Sequence, residues 1–177
     1  NFFESFFEQF KELLQTVPLP STSMERVVNC QYCTNATDIK NCYFVRGATR
    51  TEDSAYLIWD NASKGCIDSH MTNSCELSYG NVNTITCYRT FFSVDCESSQ
   101  ELILCRDCVG CNSCFGSVGL RNKSYYIFNK PHSREEYLKK VNEFDIGSKN
   151  NFEKQETIAY KEWARFPQKY MHGRQNL

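Results

Sequence analysis

Apolar positions near the start of the chain recur at steps of three and four: Phe2, Phe3, Phe6, Phe7, Phe10, Leu13, Leu14 and Val17. Glu4, Glu8, Lys11 and Glu12 fall largely between them. That period predicts an amphipathic helix with a wide aromatic stripe, ended by Pro18 and Pro20. The stripe has to be covered. Helices that lie on membrane surfaces carry Lys and Arg on the polar face, and here that face is acidic. The stripe, with Phe3, Phe6, Phe7, Phe10 and Leu14 as its contacts, is therefore expected to pack on the body of the chain as a cap.

From Cys30 onward the periodicity changes. Cysteine, or a serine replacing it, falls at Cys30, Cys42, Ser54, Cys66, Cys75, Cys87, Cys96, Cys105 and Cys114, in steps of 12 and 9. Ser124 follows one residue late. Most marks are preceded by a turn former or a small polar residue: Asn29, Asn41, Asp53, Gly65, Ser74, Thr86, Asp95 and Ser113, with Leu104 the exception. Asn, Asp and Gly tolerate the left-handed conformation of a tight corner. β-formers often follow the mark, as in Tyr43-Phe44, Ala55-Tyr56-Leu57-Ile58 and Tyr125-Tyr126-Ile127-Phe128. The unit is a corner, a small inward residue and a short strand.

Such a unit is too short to have its own core, so units must stack. Two of them, about 18–24 residues, suit one coil of a parallel β-helix. The expected body is a β-solenoid of about four to five coils, roughly 20–25 Å long at the strand spacing. Parallel crossovers are overwhelmingly right-handed, which predicts a right-handed coil. The marked residues would form an interior ladder. The open first edge needs covering, and the aromatic helix is placed to do it.

After Pro131 the pattern becomes helical. Ser133 and Glu136 form a capping box opening a helix through Tyr137, Leu138 and Val141. Gly147-Ser148 breaks it, and a second helix runs from about Phe152 through Ala159 and Trp163. The chain divides into a capping helix at 1–20, a cysteine-marked solenoid at 21–130 and a helical cap at 131–177.

Composition adjusts this picture in two places. The eleven cysteines are odd in number, so they cannot all pair within one chain. Thirteen Phe, ten Tyr and two Trp give enough apolar surface that disulfides are not needed to compensate for a poor core. Reduced thiols behave as small buried hydrophobes. With no visible signal peptide, they suggest the cytoplasm. No run of residues is long and apolar enough for a transmembrane segment. The net charge of −1 is unevenly distributed: residues 1–120 carry −6 and residues 121–177 carry +5. The basic end could face nucleic acid or an acidic partner, with Lys139, Lys140 and Arg165 as the contacts; solvated helix faces are the plainer account.

The sharpest chemical candidate is Cys105, Cys108, Cys111 and Cys114, spaced as Cys-x-x-Cys-x-x-Cys-x-x-Cys. It resembles the opening of an iron–sulfur cluster run. With the Cys30-x-x-Cys33 pair, it also suggests a zinc site. Against both, Cys105 and Cys114 already belong to the repeat, and no proline follows Cys114. The reading from spacing is a ladder with no cofactor, with zinc or an iron–sulfur cluster as the alternative. His70, His132 and His172 show no ligand spacing. Asp53 with Asp60, or Asp95 with Glu97, could share a face as acid–base carboxylates do in glycoside-cleaving enzymes, though solvated turn acids are commoner. No nucleophile elbow, phosphate loop or dinucleotide fingerprint is present.

The run from Cys111 to Gly116, continued by Val118-Gly119-Leu120-Arg121-Asn122-Lys123-Ser124-Tyr125-Tyr126-Ile127-Phe128-Asn129-Lys130, resembles an uncharacterised family of cysteine-rich repeat proteins from candidate-phyla bacteria. Phe7 to Leu14 with Val17-Pro18, and Glu135-Glu136-Tyr137, match the same family. The resemblance covers most of the chain and implies no established activity. Members often carry zinc-ribbon-like cysteine pairs upstream, absent here, and often have cysteine where Ser117 stands. That exchange implies interchangeable small inward residues.

Together these features point to a non-enzymatic structural or interaction module. It would be a solenoid that binds a protein partner or associates with itself. A metal or redox protein using Cys105–Cys114, and a nucleic-acid-associated factor using the basic end, are the alternatives.

Overall fold

The computed structural model describes residues 5–18 and 22–167. In chain order the elements are α1 (Phe6–Thr16), β1 (Met24–Val28), β2 (Thr34–Lys40), β3 (Tyr43–Thr49), β4 (Ala55–Asn61), β5 (Ile67–Asn73), β6 (Val82–Ile85), β7 (Gln100–Ile103), β8 (Asn112–Phe115), β9 (Ser124–Ile127), β10 (Lys130–Pro131), α2 (Arg134–Glu143) and α3 (Lys149–Arg165). Strands β1 to β6 stack in order as one parallel sheet, and β7 to β9 stack in the same way, with β10 turning back antiparallel on β9.

The pairing register is twelve residues throughout, from Met24 with Ala36 to Asn112 with Ser124. Single bridges at the same offset, such as Tyr79 with Phe91 and Tyr88 with Gln100, carry the stack from β6 to β7. Every third residue from Arg26 to Phe128 has positive φ. A corner every three residues and a register of twelve make a four-sided coil with three residues per side. The body is a β-solenoid of about nine turns, roughly 40 Å long at the usual strand spacing.

The coil is therefore shorter than the expected 18–24 residues, and the turns number about nine instead of four or five. The reason lies in the corners. All of the positions preceding the cysteine marks are indeed left-handed, Leu104 (φ 53°) included, but so are Phe44, Tyr56, Trp59 and Leu77. Bulky side chains at such positions cost about 1–2 kcal/mol each, and they disguise a corner. The ladder between coils offsets that cost. Each corner N–H donates to a mid-side carbonyl one coil back, as Asn41 to Val28 at 3.0 Å and Phe44 to Gln31 at 2.9 Å. Each mid-side N–H donates to an inward residue's carbonyl one coil on, as Tyr43 to Ser54 at 3.1 Å.

The third amide of each triplet belongs to the inward residue and needs its own acceptor. In one arrangement the side chain twelve residues earlier supplies it. The Cys66 N–H donates to Ser54 Oγ at 3.1 Å, Cys75 to Ser63 Oγ at 3.2 Å, Ser93 to Asn81 Oδ1 at 2.9 Å, and Cys42 to Cys30 Sγ at 3.4 Å. The same Ser54 hydroxyl donates to the Glu52 carbonyl at 2.7 Å. Elsewhere the inward residues stack in register within the paired strands. Asp60 above Ala48, Leu57 above Val45 and Cys114 above Leu102 are paired this way. Every third residue from Cys33 to Ser117 is buried, and the apolar members of this series form one continuous inner core.

A second core lies outside the coils. Leu104, Phe115, Val118 and Ile127 point outward and are buried by Tyr137 of α2 and by Ala159 and Trp163 of α3. The C-terminal helices thus lie along a flank of the last coils. The Ser133–Glu136 capping box opens α2 as the sequence indicates, and α3 begins at Lys149, three residues before Phe152. At the other end, α1 is capped by a reciprocal Ser5–Glu8 box and none of its residues is buried. Its stripe, expected to cap the first coil, is exposed among the described residues. Phe3 lies outside the described residues.

Replacing Ser54 by Ala leaves the Cys66 amide without its acceptor and is expected to cost about 1–3 kcal/mol in urea unfolding. Ser54→Cys, which repeats the Cys30–Cys42 arrangement, should retain most of that stability.

Candidate functional site

The interior is too narrow for aromatic side chains, so the outward positions hold them. Two sides meet at the corner column that runs through Tyr32, Phe44, Tyr56, Phe92, Leu104 and Phe128. Over the last coils α2 and α3 cover this strip. Phe152 sits on Phe92 with ring centroids 4.5 Å apart, and Phe144 on Phe115 at 4.9 Å. Gly119, at φ +68°, leaves the space that the Phe166 ring occupies.

Over the first coils the same strip is bare. Tyr32 is 72% exposed, Trp59 68% and Phe44 57%. Tyr43 lies edge-on between Tyr32 and Tyr56, at 5.5 and 5.6 Å, and Ile58, Met71, Tyr79 and Val82 extend the surface. Isolated surface apolar residues need no explanation, but a contiguous patch marks an interaction site. The sequence contains these residues, but only the twelve-residue register brings them together.

The marked cysteines and Ser54 all belong to the inward series, whereas Ser124 is an exposed mid-side residue paired with Asn112. Cys30, Cys42, Ser54, Cys66 and Cys114 stand in one column with Leu102. Cys75 and Cys87 stand in a second column, Cys96 in a third and Cys105 in the fourth. A step of twelve stays in a column and a step of nine moves to the neighbouring one. Cys108 and Cys111, the two extra members inside the 105–114 run, fill the remaining inward sides of the coil that holds Cys105 and Cys114. One coil is thus lined by thiols on all four sides, and Cys30 lies some six coils away from it.

These four thiols lie within side-chain hydrogen-bonding reach of one another, Cys108 with Cys105 and Cys111, and Cys111 with Cys114. Each is turned back on the carbonyl two residues earlier: Cys105 to Ile103 at 3.5 Å, Cys108 to Arg106 at 3.4 Å, Cys111 to Val109 at 3.5 Å and Cys114 to Asn112 at 3.5 Å. Among the described residues no group of three or more His, Cys, Asp or Glu is arranged as a metal site. All eleven cysteines are free, and Cys30 alone is not fully buried. Burial pushes the Cys42 thiol up to about 11 and the Cys66 thiol up to about 12, and it raises Cys105 as well. Reactive thiols are the exposed ones with lowered pKa.

The carboxylate pairs do not share a face. Asp60 points inward and accepts from the Thr51 hydroxyl at 2.5 Å and from that of Thr72, whereas Asp53 is an exposed corner. Asp95 is a corner that accepts from Asn83 at 2.7 Å, and Glu97 lies mid-side, paired with Ile85 and Val109. His70 is on the outer face of β5, His132 lies within 3.4 Å of Lys140 Nζ, and His172 is outside the described residues. The basic helices intersperse their charges with acids, as in Arg165–Glu162 at 2.7 Å and Lys149–Glu153 at 3.8 Å. No helix among the described residues is long and apolar enough to cross a membrane.

The fold and its surface define a β-solenoid with one flank partly covered by its own helices and partly open. No family model matches the chain, and no curated protein matches it. Among solved structures it is similar to the BC4754 product of Bacillus cereus, described as an acetyltransferase. The identity is 8%, the TM-score 0.19, and the match covers 83% of this chain and 96% of that one. It is also similar to a hexapeptide transferase family protein from Anaplasma phagocytophilum (11%, TM-score 0.15, covering 81% and 90%). A third is the acetyltransferase domain of PglB from Neisseria gonorrhoeae FA1090 (12%, TM-score 0.13, covering 64% and 55%).

Thiol labelling of the native chain should modify Cys30 rapidly and leave the other ten thiols protected until unfolding. Fast labelling of Cys108 or Cys111 would contradict the inward placement. The raised thiols also set a pH dependence. The fold holds Cys42 and Cys66 protonated past the ordinary thiol value of about 8.5. Their contribution to stability is therefore complete below that pH and declines as pH rises toward 12. Urea midpoints measured between pH 7 and 11 should fall only in the upper part of that range.

Proposed function

We propose that the protein is a non-enzymatic interaction module, a solenoid scaffold that binds a protein partner along the open half of its apolar strip. One observation carries this reading. The strip is mainly apolar from Tyr32 to Phe128, interrupted at its corner by Asp68 and Gly80, and among the described residues helices occupy it only over the last coils. Solenoids use extended faces of this kind for binding. Aromatic side chains in contiguous patches, exemplified by Tyr43, Tyr56 and Trp59, are the residue types that dominate binding energy at protein interfaces.

The reading extends to the cysteine-rich repeat proteins of candidate-phyla bacteria that the Cys111–Lys130 run resembles. In this chain that run supplies Phe115, Val118, Ile127 and Phe128, the residues on which the C-terminal helices rest. Its conspicuous sequence thus serves the covered half of the strip, and the open half is left for binding.

The test places a photo-crosslinking residue at Tyr56 on the strip or at Arg50 on the opposite corner, with the full chain expressed in its own cells. Discrete protein adducts are expected from Tyr56 and none from Arg50; adducts from neither, or equally from both, would overturn the reading. Tyr43→Ser and Trp59→Ser should change folding stability by no more than about 0.5 kcal/mol, as surface changes do. Phe115→Ala, under the helices, should cost about 3–5 kcal/mol.

A further inference from the structure

We infer that the open half of the strip is the seat of α1 from a second copy of this chain. The inference rests on the reading of the strip as a binding face and names its occupant.

The first argument is that the strip already accepts helices. Phe144 and Phe152 lie on Phe115 and Phe92 at the C-terminal end, and the open half continues the same flank with Tyr43, Phe44, Tyr56, Ile58 and Tyr79 exposed. The second concerns α1. Its stripe of Phe6, Phe7, Phe10, Leu13 and Leu14 is uncovered, with Phe6 71% and Phe7 79% exposed. An isolated helix of 11 residues is marginal in water, so its apolar face needs a partner. The third is dimension. Eleven residues of helix span about 16 Å, which matches about three coils at ~4.8 Å each. The open strip from Tyr43 to Val82 covers just over that length.

Each chain therefore holds one uncovered helix face and one uncovered strip of matching chemistry. Reciprocal exchange about a two-fold axis covers both faces in both copies, and it closes at two chains.

The experiment uses the full chain at micromolar concentration, with mass read by light scattering after gel filtration. The expected mass is twice the 20.6 kDa of one chain. Phe6→Ser with Phe10→Ser, and separately Tyr43→Ser with Trp59→Ser, should each halve it while leaving the circular dichroism of the coil unchanged. A photo-crosslinker at Phe10, in an equal mixture of isotopically light and heavy chains, should give light–heavy adducts that map to the strip.

A monomeric wild-type chain would overturn the inference, as would adducts from Phe10 to the strip of the same chain only. If the chain is monomeric yet Tyr56 still captures a different protein in cells, the binding-face reading holds and this occupant does not. If the strip variants alter neither mass nor capture, both fall.

Discussion

The inward amide is the constraint on which the rest of this structure depends. With three residues per side, two of every three amides join the ladder between coils, and the third points into the body. A side chain with a polar atom on or next to Cβ, one coil earlier, can meet it, as Ser54 meets Cys66 and Ser93 meets Cys105. That side chain must also be small, because four of them share one cross-section. Serine, threonine, cysteine and asparagine satisfy both demands, so they recur along the interior. Cysteine's place here follows from its size and weak polarity.

The same constraint sends the aromatic residues outside. Thirteen Phe and ten Tyr cannot enter a core this narrow, so they collect on the outward positions. Stacking in a twelve-residue register then aligns them into a strip. Two helices bury the strip over the last coils, creating the second core around Phe115 and Trp163. Over the first coils nothing among the described residues covers it. The binding face is thus a consequence of how the interior is satisfied.

The solenoid, its parallel stacking and its flanking helices were legible in the sequence, and so were the corners before the cysteine marks. The coil length was not. The true period is three residues, but Ala48, Val45, Leu57, Asp60 and Thr84 fill inward positions as readily as cysteine does, and only the cysteines stand out. Steps of nine and twelve are both multiples of that hidden period. Cys108 and Cys111 looked like extra members until the triplet accounted for them. Corners filled by Phe44, Tyr56 and Trp59 read as strand, since tertiary stacking overrides their local preference. The candidate site was hidden for a related reason. Tyr43, Tyr56 and Val82 become neighbours only through the register, and no local motif joins them. The uncovered state of α1 could not be foreseen, because an amphipathic stripe says that a partner is needed without saying where it lies.

The twelve-residue coil is tested most directly by one distance in solution. Lys40 and Gln100 stand in one outward column, linked through bridges at Glu52, Lys64, Glu76 and Tyr88. Spin labels at these two positions, in a Cys30→Ser background whose remaining native thiols are buried, should report a backbone separation of five coils, about 24 Å. Coils of 18–24 residues would place the same pair two or three coils apart, at roughly 10–16 Å, and that result would contradict the account.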